Sequence, residues 1–270
     1  MTDTPRPVKS EQLQATDEIA EVAPGIFRTQ LPANITGLGH VNMYVMEDDR
    51  GVAVVDPGMP TKESWTALND RLRQMGIPLK RVHSVIVTHS HPDHYGGAER
   101  IRRESGADVI THRLFRTFYD ASEPPDLSVE EAATFMRSPF DPPPWGGEPM
   151  KMEFGRRMKF AVARRFPQLL KAPTPTMRIS EADRVSFARR EWVPVHTPGH
   201  TADHLCLFDP ETGTLLSGDH VLPTITPHIS GLTAHGDPLT LFFDSLDKIG
   251  AFASQVKVSL PAHGTPFTNT

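Results

Sequence analysis

The sequence predicts a layered α/β fold, and two patterns indicate it. Short runs of apolar and β-branched residues, such as Gly51–Asp56 and Val82–Thr88, alternate with stretches whose apolar residues fall at helical spacing. Histidine and aspartate residues directly follow several of the strand-like runs. Because the sites of α/β proteins gather at one end of the sheet, this recurrence favours a functional site built from strand ends.

Composition is typical of a globular enzyme-sized chain. The protein has 270 residues, 38% of them hydrophobic and 23% charged, which is enough to bury one core, and we expect a single domain over 1–270. A net charge of −5 gives no reason to expect nucleic acid or an anionic membrane as a partner. The single Cys206 and a polar N-terminus without an apolar stretch lead us to expect a cytoplasmic location. Nothing in the sequence indicates an oligomeric state.

The first half of the chain predicts five strands and two helices. A loose polar arm is expected over residues 1–16. The apolar residues of Lys62–Met75 fall on one helical face, and Gly76 is a stop signal. A short helix is expected from Gly97 toward Arg103, and the predicted strands are Gly25–Leu31, His40–Met46, Gly51–Asp56, Val82–Thr88 and Ala107–Thr111.

From His112 to Ala172 the alternation stops. This stretch is rich in Phe, Met, Arg and Pro, and it predicts helices over Leu127–Met136 and Met150–Arg165. We interpret residues 112–172 as a helical insertion. Strands then resume at Thr176–Ile179, Arg184–Ala188, Trp192–His196, Leu205–Phe208, Thr214–Ser217 and Val256–Leu260, with a helix over Leu239–Phe252.

Four potential metal ligands follow the strand that ends at Thr88. His89 and His91 are two residues apart, so in extended chain they face the same side and can bind one ion together. Asp93 and His94 lie beyond Pro92, where the chain turns, and can face a second ion. Imidazole and carboxylate suit zinc, iron or manganese. The cluster therefore predicts a metal site that needs further ligands from elsewhere.

Three later strand ends offer those ligands. His200 follows one strand across a Pro-Gly turn, Asp219 follows a short apolar strand and a glycine, and His263 follows the last strand. The glycine-rich signatures of phosphate-binding and dinucleotide-binding loops are absent from the sequence, so neither nucleotide interpretation has support.

The chain resembles the metallo-β-lactamase superfamily. The segments VVDPG, THSHPDH, HTPGHT, SGDH and LPAHG match the family's motifs in its order. The resemblance implies an αββα sandwich that holds two divalent ions, with Zn²⁺ expected and Fe or Mn possible instead. It implies that Asp56 supports the ligands without being one, and that Asp219 bridges the ions. The implied ligands are His89, His91 and His200 on one metal and Asp93, His94 and His263 on the other.

The implied reaction is hydrolysis of an acyl bond by a metal-bound hydroxide, with Asp93 or Asp219 relaying a proton. A moderately hydrophobic thioester, ester or lactone is the expected small-molecule substrate. Asp219 disfavours β-lactamase activity, because antibiotic β-lactamases of the family generally lack that aspartate. Leu222 stands where quorum-quenching lactonases usually carry tyrosine, which weakens the lactonase interpretation. Three further classes stay open: a phosphodiesterase, a mononuclear iron oxidoreductase similar to persulfide dioxygenases, and a metal-free binding scaffold.

The insertion is also expected to contribute to the substrate pocket. It lies between His94 and His200 in the chain, so it must leave and re-enter the sheet near the metal edge, and we predict that it forms a lid. We expect Phe154, Trp145 and His228 to line the pocket. It is equally open that the aromatic residues form the insertion's own small core and that His228 is an ordinary surface residue.

Overall fold

The structure, a computed structural model, describes residues 9–117, 148, 153–155, 158, 161–162, 172–229 and 237–268. Trp145 and most of the predicted insertion lie outside these ranges, so the lid over 112–172 stays a prediction. Within the described ranges, no helix combines the length and the apolar character needed to cross a bilayer.

Twelve strands of the described residues form two sheets. The first sheet has the strands in chain order, antiparallel from β1 to β4 and parallel from β4 to β7. Its members are β1 (Ile19–Ala23), β2 (Ile26–Ile35), β3 (Leu38–Asp48), β4 (Gly51–Val55), β5 (Val82–Val87), β6 (Asp108–His112) and β7 (Met177–Ile179).

The second sheet follows the predicted insertion. Its order is β12-β11-β10-β9-β8, antiparallel except for the parallel pair β11 and β12. Its members are β8 (Val185–Phe187), β9 (Arg190–His196), β10 (Leu205–Asp209), β11 (Thr214–Gly218) and β12 (Val258–Pro261).

Four α-helices of the described residues have recognisable end signals. The helix α1 (Lys62–Gln74) begins where the Thr61 hydroxyl accepts a hydrogen bond from the Ser64 N–H. The others are α2 (Pro92–Tyr95), α3 (Ala98–Ser105) and α4 (Pro238–Gly250), and single 3-10 turns occupy Ser10–Gln12, Leu79–Arg81 and Ala253–Gln255.

The buried side chains separate into layers that establish an αββα sandwich. In β4, Val52 and Val54 pack into a cluster with Leu68 of α1, whereas the alternate residues Ala53 and Val55 join the cluster between the sheets. A third cluster lies between the second sheet and α4, where Cys206, Phe208 and Ile249 meet. Both faces of each sheet are therefore covered, and the predicted fold class is confirmed.

The paired glycines after the histidine cluster bring α2 and α3 close to the loop after β4. A Cβ atom on Gly96 would lie 2.1 Å from the backbone nitrogen of Pro60, and one on Gly97 would lie 2.5 Å from the Pro57 carbonyl oxygen. These clashes are with backbone atoms, which side-chain movement cannot relieve. The glycines thus fix the position of the residues just before them, the ligand candidates Asp93 and His94.

Part of the segment predicted as a loose arm over residues 1–16 contacts the fold. A 3-10 turn spans Ser10–Gln12, and the Glu11 side chain is fully buried, while Leu13 is 54% exposed. The polar composition of the segment concealed this packing, because the partner of Glu11 is a threonine more than 200 residues away. The strand β1 was also missed, since its half-buried residues give only a weak alternation.

Candidate metal centre and active site

The seven ligand candidates meet at one edge of the two sheets. His89 and His91 follow β5, and Asp93 and His94 lie in α2. His200 lies in the turn between β9 and β10, while Asp219 and His263 follow β11 and β12. Two groups result in which all the potential ligand atoms lie within 4.8 Å of one another: His89, His91, His200 and Asp219, and separately Asp93, His94 and His263.

Three imidazole nitrogens of the first group lie close together. His91 Nδ1 lies 2.9 Å from His89 Nε2 and 3.0 Å from His200 Nε2, and the two Nε2 atoms are 3.3 Å apart. Nitrogen lone pairs that face one another repel unless a proton or a cation lies between them. The arrangement is therefore one that a single metal ion would satisfy.

The second group combines one carboxylate with two imidazoles. Asp93 Oδ2 lies 3.4 Å from His94 Nε2 and 3.5 Å from His263 Nε2. Asp219 lies between the groups: its Oδ2 is 3.3 Å from His200 Nε2 and 3.6 Å from His94 Nε2, and its Oδ1 is 3.3 Å from His263 Nε2. One carboxylate thus faces both groups at once.

Hydrogen bonds on the far side of three imidazoles fix which nitrogen faces the centre. His94 Nδ1 donates to Asp56 Oδ2 at 2.9 Å. His263 Nδ1 donates to the His40 carbonyl at 2.6 Å, and His200 Nδ1 donates to the His228 carbonyl at 2.7 Å. Because Nδ1 carries the outward hydrogen bond in each of these rings, Nε2 is the nitrogen that faces the other ligands and is available to a metal.

Asp56 is held by its own network. Its Oδ1 accepts from the Thr88 N–H at 2.9 Å and its Oδ2 from the Thr88 hydroxyl at 2.8 Å. The backbone of Asp56 is left-handed, with φ of 51°, a conformation that aspartate and asparagine tolerate better than most residues. Asp56 therefore contacts His94 from behind and does not face the centre itself.

His204 supports Asp219 in a similar way. Its Nε2 accepts from the Asp219 N–H at 3.0 Å, and its Nδ1 lies 2.7 Å from the Thr197 hydroxyl. A Cβ on Gly218 would lie 2.6 Å from His204 Nε2, so only glycine allows this approach. His196, at the start of the same turn, bonds to backbone as well: its Nε2 donates to the Ala202 carbonyl at 2.8 Å.

Three buried polar atoms at the centre have no hydrogen-bond partner among the described residues: His94 Nε2, His263 Nε2 and Asp219 Oδ1. Each atom of this kind costs about 1–3 kcal/mol of stability if nothing satisfies it. All three face the space between the two ligand groups. The donor set and its unsatisfied atoms therefore fit bound metal.

Charges within the cluster shift the pKa values in opposite directions. Burial, with the neighbouring His94 and His91 rings, holds the pKa of His89 well below its ordinary value, and burial beside His200 lowers that of His91 to about 3. Burial alone would lower the pKa of His94, but the carboxylates of Asp93 and Asp219 outweigh it and raise that pKa well above the ordinary value. In the metal-free protein His89 and His91 thus offer neutral imidazoles, whereas His94 must release a proton to bind metal.

A cavity of about 490 Å³ opens onto this centre. Two apolar walls enclose it: Ile35 and Leu38 at the β2–β3 turn, and a segment that we call the pocket loop (residues 222–228). No lysine or arginine is among the described residues that line it. The lining residues are Ile35, Thr36, Gly37, Leu38, His91, Pro92, Asp93, His200, Asp219, Leu222, Ile225, Thr226, Pro227, His228 and His263.

The predicted pocket residues have different outcomes. His228 is among the residues that line the cavity. Phe154 is 80% exposed and is not among the lining residues that the structure describes, and Trp145 lies outside the described ranges. The two apolar walls were missed. Ile35 and Leu38 flank the Thr-Gly of the β2–β3 turn. Apolar residues at such an exposed turn could have indicated a binding surface from the sequence alone.

A model of the metallo-beta-lactamase superfamily matches residues 36–254. The chain belongs to this superfamily. Membership agrees with the αββα fold and with the His and Asp groups at the sheet edge, and it makes the chain a metallo-hydrolase.

Curated relatives share about a quarter of the sequence. The chain is 25% identical over 240 residues to "Probable metallo-hydrolase YqjP" of Bacillus subtilis, covering 86% of this chain and 69% of that protein. It is 26% identical over 229 residues to a linear primary-alkylsulfatase of Pseudomonas, covering 82% of this chain and 41% of that protein. It is 26% identical over 263 residues to an atrochrysone carboxyl ACP thioesterase of Passalora fulva, covering 96% of this chain and 59% of that protein.

Among solved structures, the metallo-beta-lactamase family protein TTHA1429 of Thermus thermophilus superposes with a TM-score of 0.68. It is 24% identical, and the match covers 92% of this chain and 76% of that one. At this identity the likeness supports the fold alone. The chain spans less than two thirds of the alkylsulfatase and of the thioesterase, and the names of these relatives leave its substrate open.

Proposed function

We propose that this metallo-hydrolase is dinuclear and that it cleaves the acyl bond of a moderately hydrophobic thioester, ester or lactone. The observation that carries the proposal is the position of Asp219, whose two oxygens face the first ligand group and the second. A carboxylate between two ligand groups is what a pair of ions sharing one bridging ligand requires.

In this proposal His89, His91 and His200 hold one ion, Asp93, His94 and His263 hold the other, and Asp219 bridges them. Zinc suits this set of imidazoles and carboxylates, and iron or manganese could take its place. Two such ions would lower the pKa of a shared water toward neutrality and polarise the substrate carbonyl.

Asp93 is the favoured proton carrier. It lies on the cavity, 4% exposed. Burial would raise the pKa of its carboxyl group, but His94 and His263 outweigh that effect and hold it below its ordinary value. The ionised carboxylate can accept a proton from the attacking water and return it to the leaving group, whether alkoxide or thiolate.

The cavity supports an apolar acyl group. Leu222 and Ile225 on one side and Ile35 and Leu38 on the other offer hydrophobic contact, and the described walls supply no cation to bind a sulfate or phosphate. This favours a neutral carbonyl substrate, in line with the thioesterase among the relatives, over the sulfate ester that the alkylsulfatase name implies.

A substrate panel tests the proposal. Purified protein loaded with zinc is offered acyl thioesters, aryl esters, lactones, alkyl sulfates and phosphodiesters, with metal content measured in parallel. We expect turnover of a medium-chain acyl thioester or ester and about two ions per chain. Cleavage of sulfate or phosphate esters alone would contradict the acyl assignment, and one iron per chain with oxygen consumption would support a persulfide-dioxygenase activity instead. The Asp219→Ala variant should lose turnover and bound metal, and full activity in it would contradict the bridging role.

A further inference from the structure

The N-terminal segment (residues 9–13) packs behind the metal edge, although nothing in the reaction proposed above uses it. Glu11 is fully buried there. Its Oε1 accepts from the Thr224 N–H at 2.8 Å and its Oε2 accepts from the Thr224 hydroxyl. Lys9 Nζ donates to the Thr224 carbonyl at 2.9 Å. A glutamate and a lysine thus bind every polar backbone and side-chain group of one threonine.

Thr224 lies within the pocket loop (residues 222–228). Its neighbours Leu222 and Ile225 form one apolar wall of the cavity. The loop ends at His228, whose carbonyl accepts the His200 Nδ1–H at 2.7 Å. A displacement of this loop would therefore move a substrate wall and would also release the hydrogen bond that aims His200 Nε2 at the centre.

The same N-terminal segment is linked to a second ligand, His263, through His40. The Leu13 carbonyl accepts from His40 Nδ1 at 2.7 Å, and His40 Nε2 accepts from the Gly264 N–H at 3.2 Å. The His40 carbonyl in turn accepts the His263 Nδ1–H. A Cβ on Gly264 would lie 2.8 Å from both Pro223 Cγ and Ser10 Oγ, so the loop after His263 is packed between the N-terminal segment and the pocket loop.

We propose that Glu11 is a positioning residue that holds the pocket loop, and through it His200 and the apolar substrate wall, in the geometry needed for metal and substrate binding. The predicted change in kinetics with an acyl substrate rests on the proposed function. The predicted changes in the mobility of the pocket loop and in metal affinity can be measured without a substrate. Glu11 differs from an ordinary buried carboxylate because both of its oxygens accept hydrogen bonds from Thr224, whose neighbour Ile225 lines the cavity.

The test compares Glu11→Ala and Glu11→Gln with a matched control in the full chain. Asp209 is the control: it is buried, and it likewise accepts from a threonine hydroxyl and backbone N–H groups, those of Thr212 and Glu211. It lies at the opposite end of β10 and β11 from Asp219. Asp209 also pairs with Arg190 at 2.7 Å, so Asp209→Ala reports an upper limit on the general cost of removing such a carboxylate.

Three quantities are measured: hydrogen exchange of residues 222–228 in the metal-free protein, zinc affinity by chelator competition, and kcat and KM for the acyl substrate. For Glu11→Ala we expect faster exchange in the pocket loop, zinc binding about 10-fold weaker or more, and a KM raised by about 10-fold with a smaller change in kcat. Glu11→Gln should keep loop exchange, zinc affinity and KM close to the wild-type values, because its amide oxygen still accepts from the Thr224 N–H. Asp209→Ala should lower thermal stability without changing the loop exchange, zinc affinity or KM.

Wild-type exchange, zinc affinity and KM in Glu11→Ala would overturn the inference and leave Glu11 with a purely stabilising role. If Glu11→Ala does not fold, Thr224→Val removes only the hydroxyl donor and must show the same effects in a weaker form, and unchanged values there would equally overturn it. If the wild type cleaves no acyl substrate, the proposed function fails, while loop exchange and zinc affinity still decide the role of Glu11.

Discussion

Replacing Asp56 by asparagine tests how the metal centre is supported. Asparagine keeps the size of the side chain and tolerates the left-handed backbone at this position, so the fold should persist. The Thr88 N–H, fixed by the backbone, keeps the amide oxygen at the position of Oδ1. The amide NH₂ then replaces Oδ2 and faces the N–H of His94 Nδ1, which lies 2.9 Å away in the native protein.

Two donors cannot pair, so the variant favours a His94 ring with its only proton on Nε2, the nitrogen that faces Asp93 and Asp219. Metal binding at Nε2 then forces the proton onto Nδ1 against the amide NH₂, whereas in the native protein Asp56 accepts the Nδ1–H. Loss of a supporting partner of this kind costs about 10–100-fold in metal affinity, which corresponds to about 1.4–2.7 kcal/mol. The loss should fall on the ion held by Asp93, His94 and His263.

The assay is competition between the metal-free protein and a chromophoric chelator for zinc, with each binding step resolved. Thr88→Ser is the matched control, because it keeps both the N–H and the hydroxyl that bind Asp56, and it should bind zinc as the wild type does. Two ions bound by Asp56→Asn with native affinity would refute the reasoning, and so would an equal loss in the control.

Three further outcomes are expected. Ile225→Asp places a carboxylate in an apolar wall of the cavity and should raise KM for an apolar acyl substrate by about 10-fold or more, while Ile225→Leu changes it little; steady-state kinetics measure both. Gly96→Ala puts a Cβ 2.1 Å from the backbone of Pro60 and should cost about 1–3 kcal/mol in urea denaturation, whereas Gly250→Ala, with open space around it, should cost nothing. Burial opposes ionisation of Glu11, but its hydrogen bonds outweigh burial and lower its pKa, so its contribution is present above its ordinary pKa of 4.5 and lost as the pH falls. Between about pH 5 and pH 3 the melting temperature of the wild type should therefore fall more steeply than that of Glu11→Gln, and parallel curves would contradict this.

The sequence predicted those features of the fold and site that depend on neighbouring residues in the chain. Runs such as Gly51–Val55 have both faces buried and read as strands whatever they pack against. The ligand candidates each follow a strand, and the strand order brings those ends to one edge. Their convergence thus follows from topology together with residue type.

What the sequence concealed depends on contacts between distant parts of the chain. Glu11 looks like an ordinary polar residue until Thr224, 213 positions later, is placed beside it. The apolar residues Ile35 and Leu222 belong to a turn and a loop, and only the fold shows that both face the same cavity. Phe154 satisfied a helical pattern, but amphipathic spacing does not reveal which surface a helix covers, and this side chain is exposed.

The most direct measurement is the anomalous diffraction of a crystal of the zinc-loaded protein at the zinc edge. A dinuclear centre predicts two peaks per chain about 3.5–4 Å apart, one beside His89, His91 and His200 and the other beside Asp93, His94 and His263. Asp219 should contact both. A single peak, or peaks away from these side chains, would contradict a dinuclear centre at this edge of the sandwich.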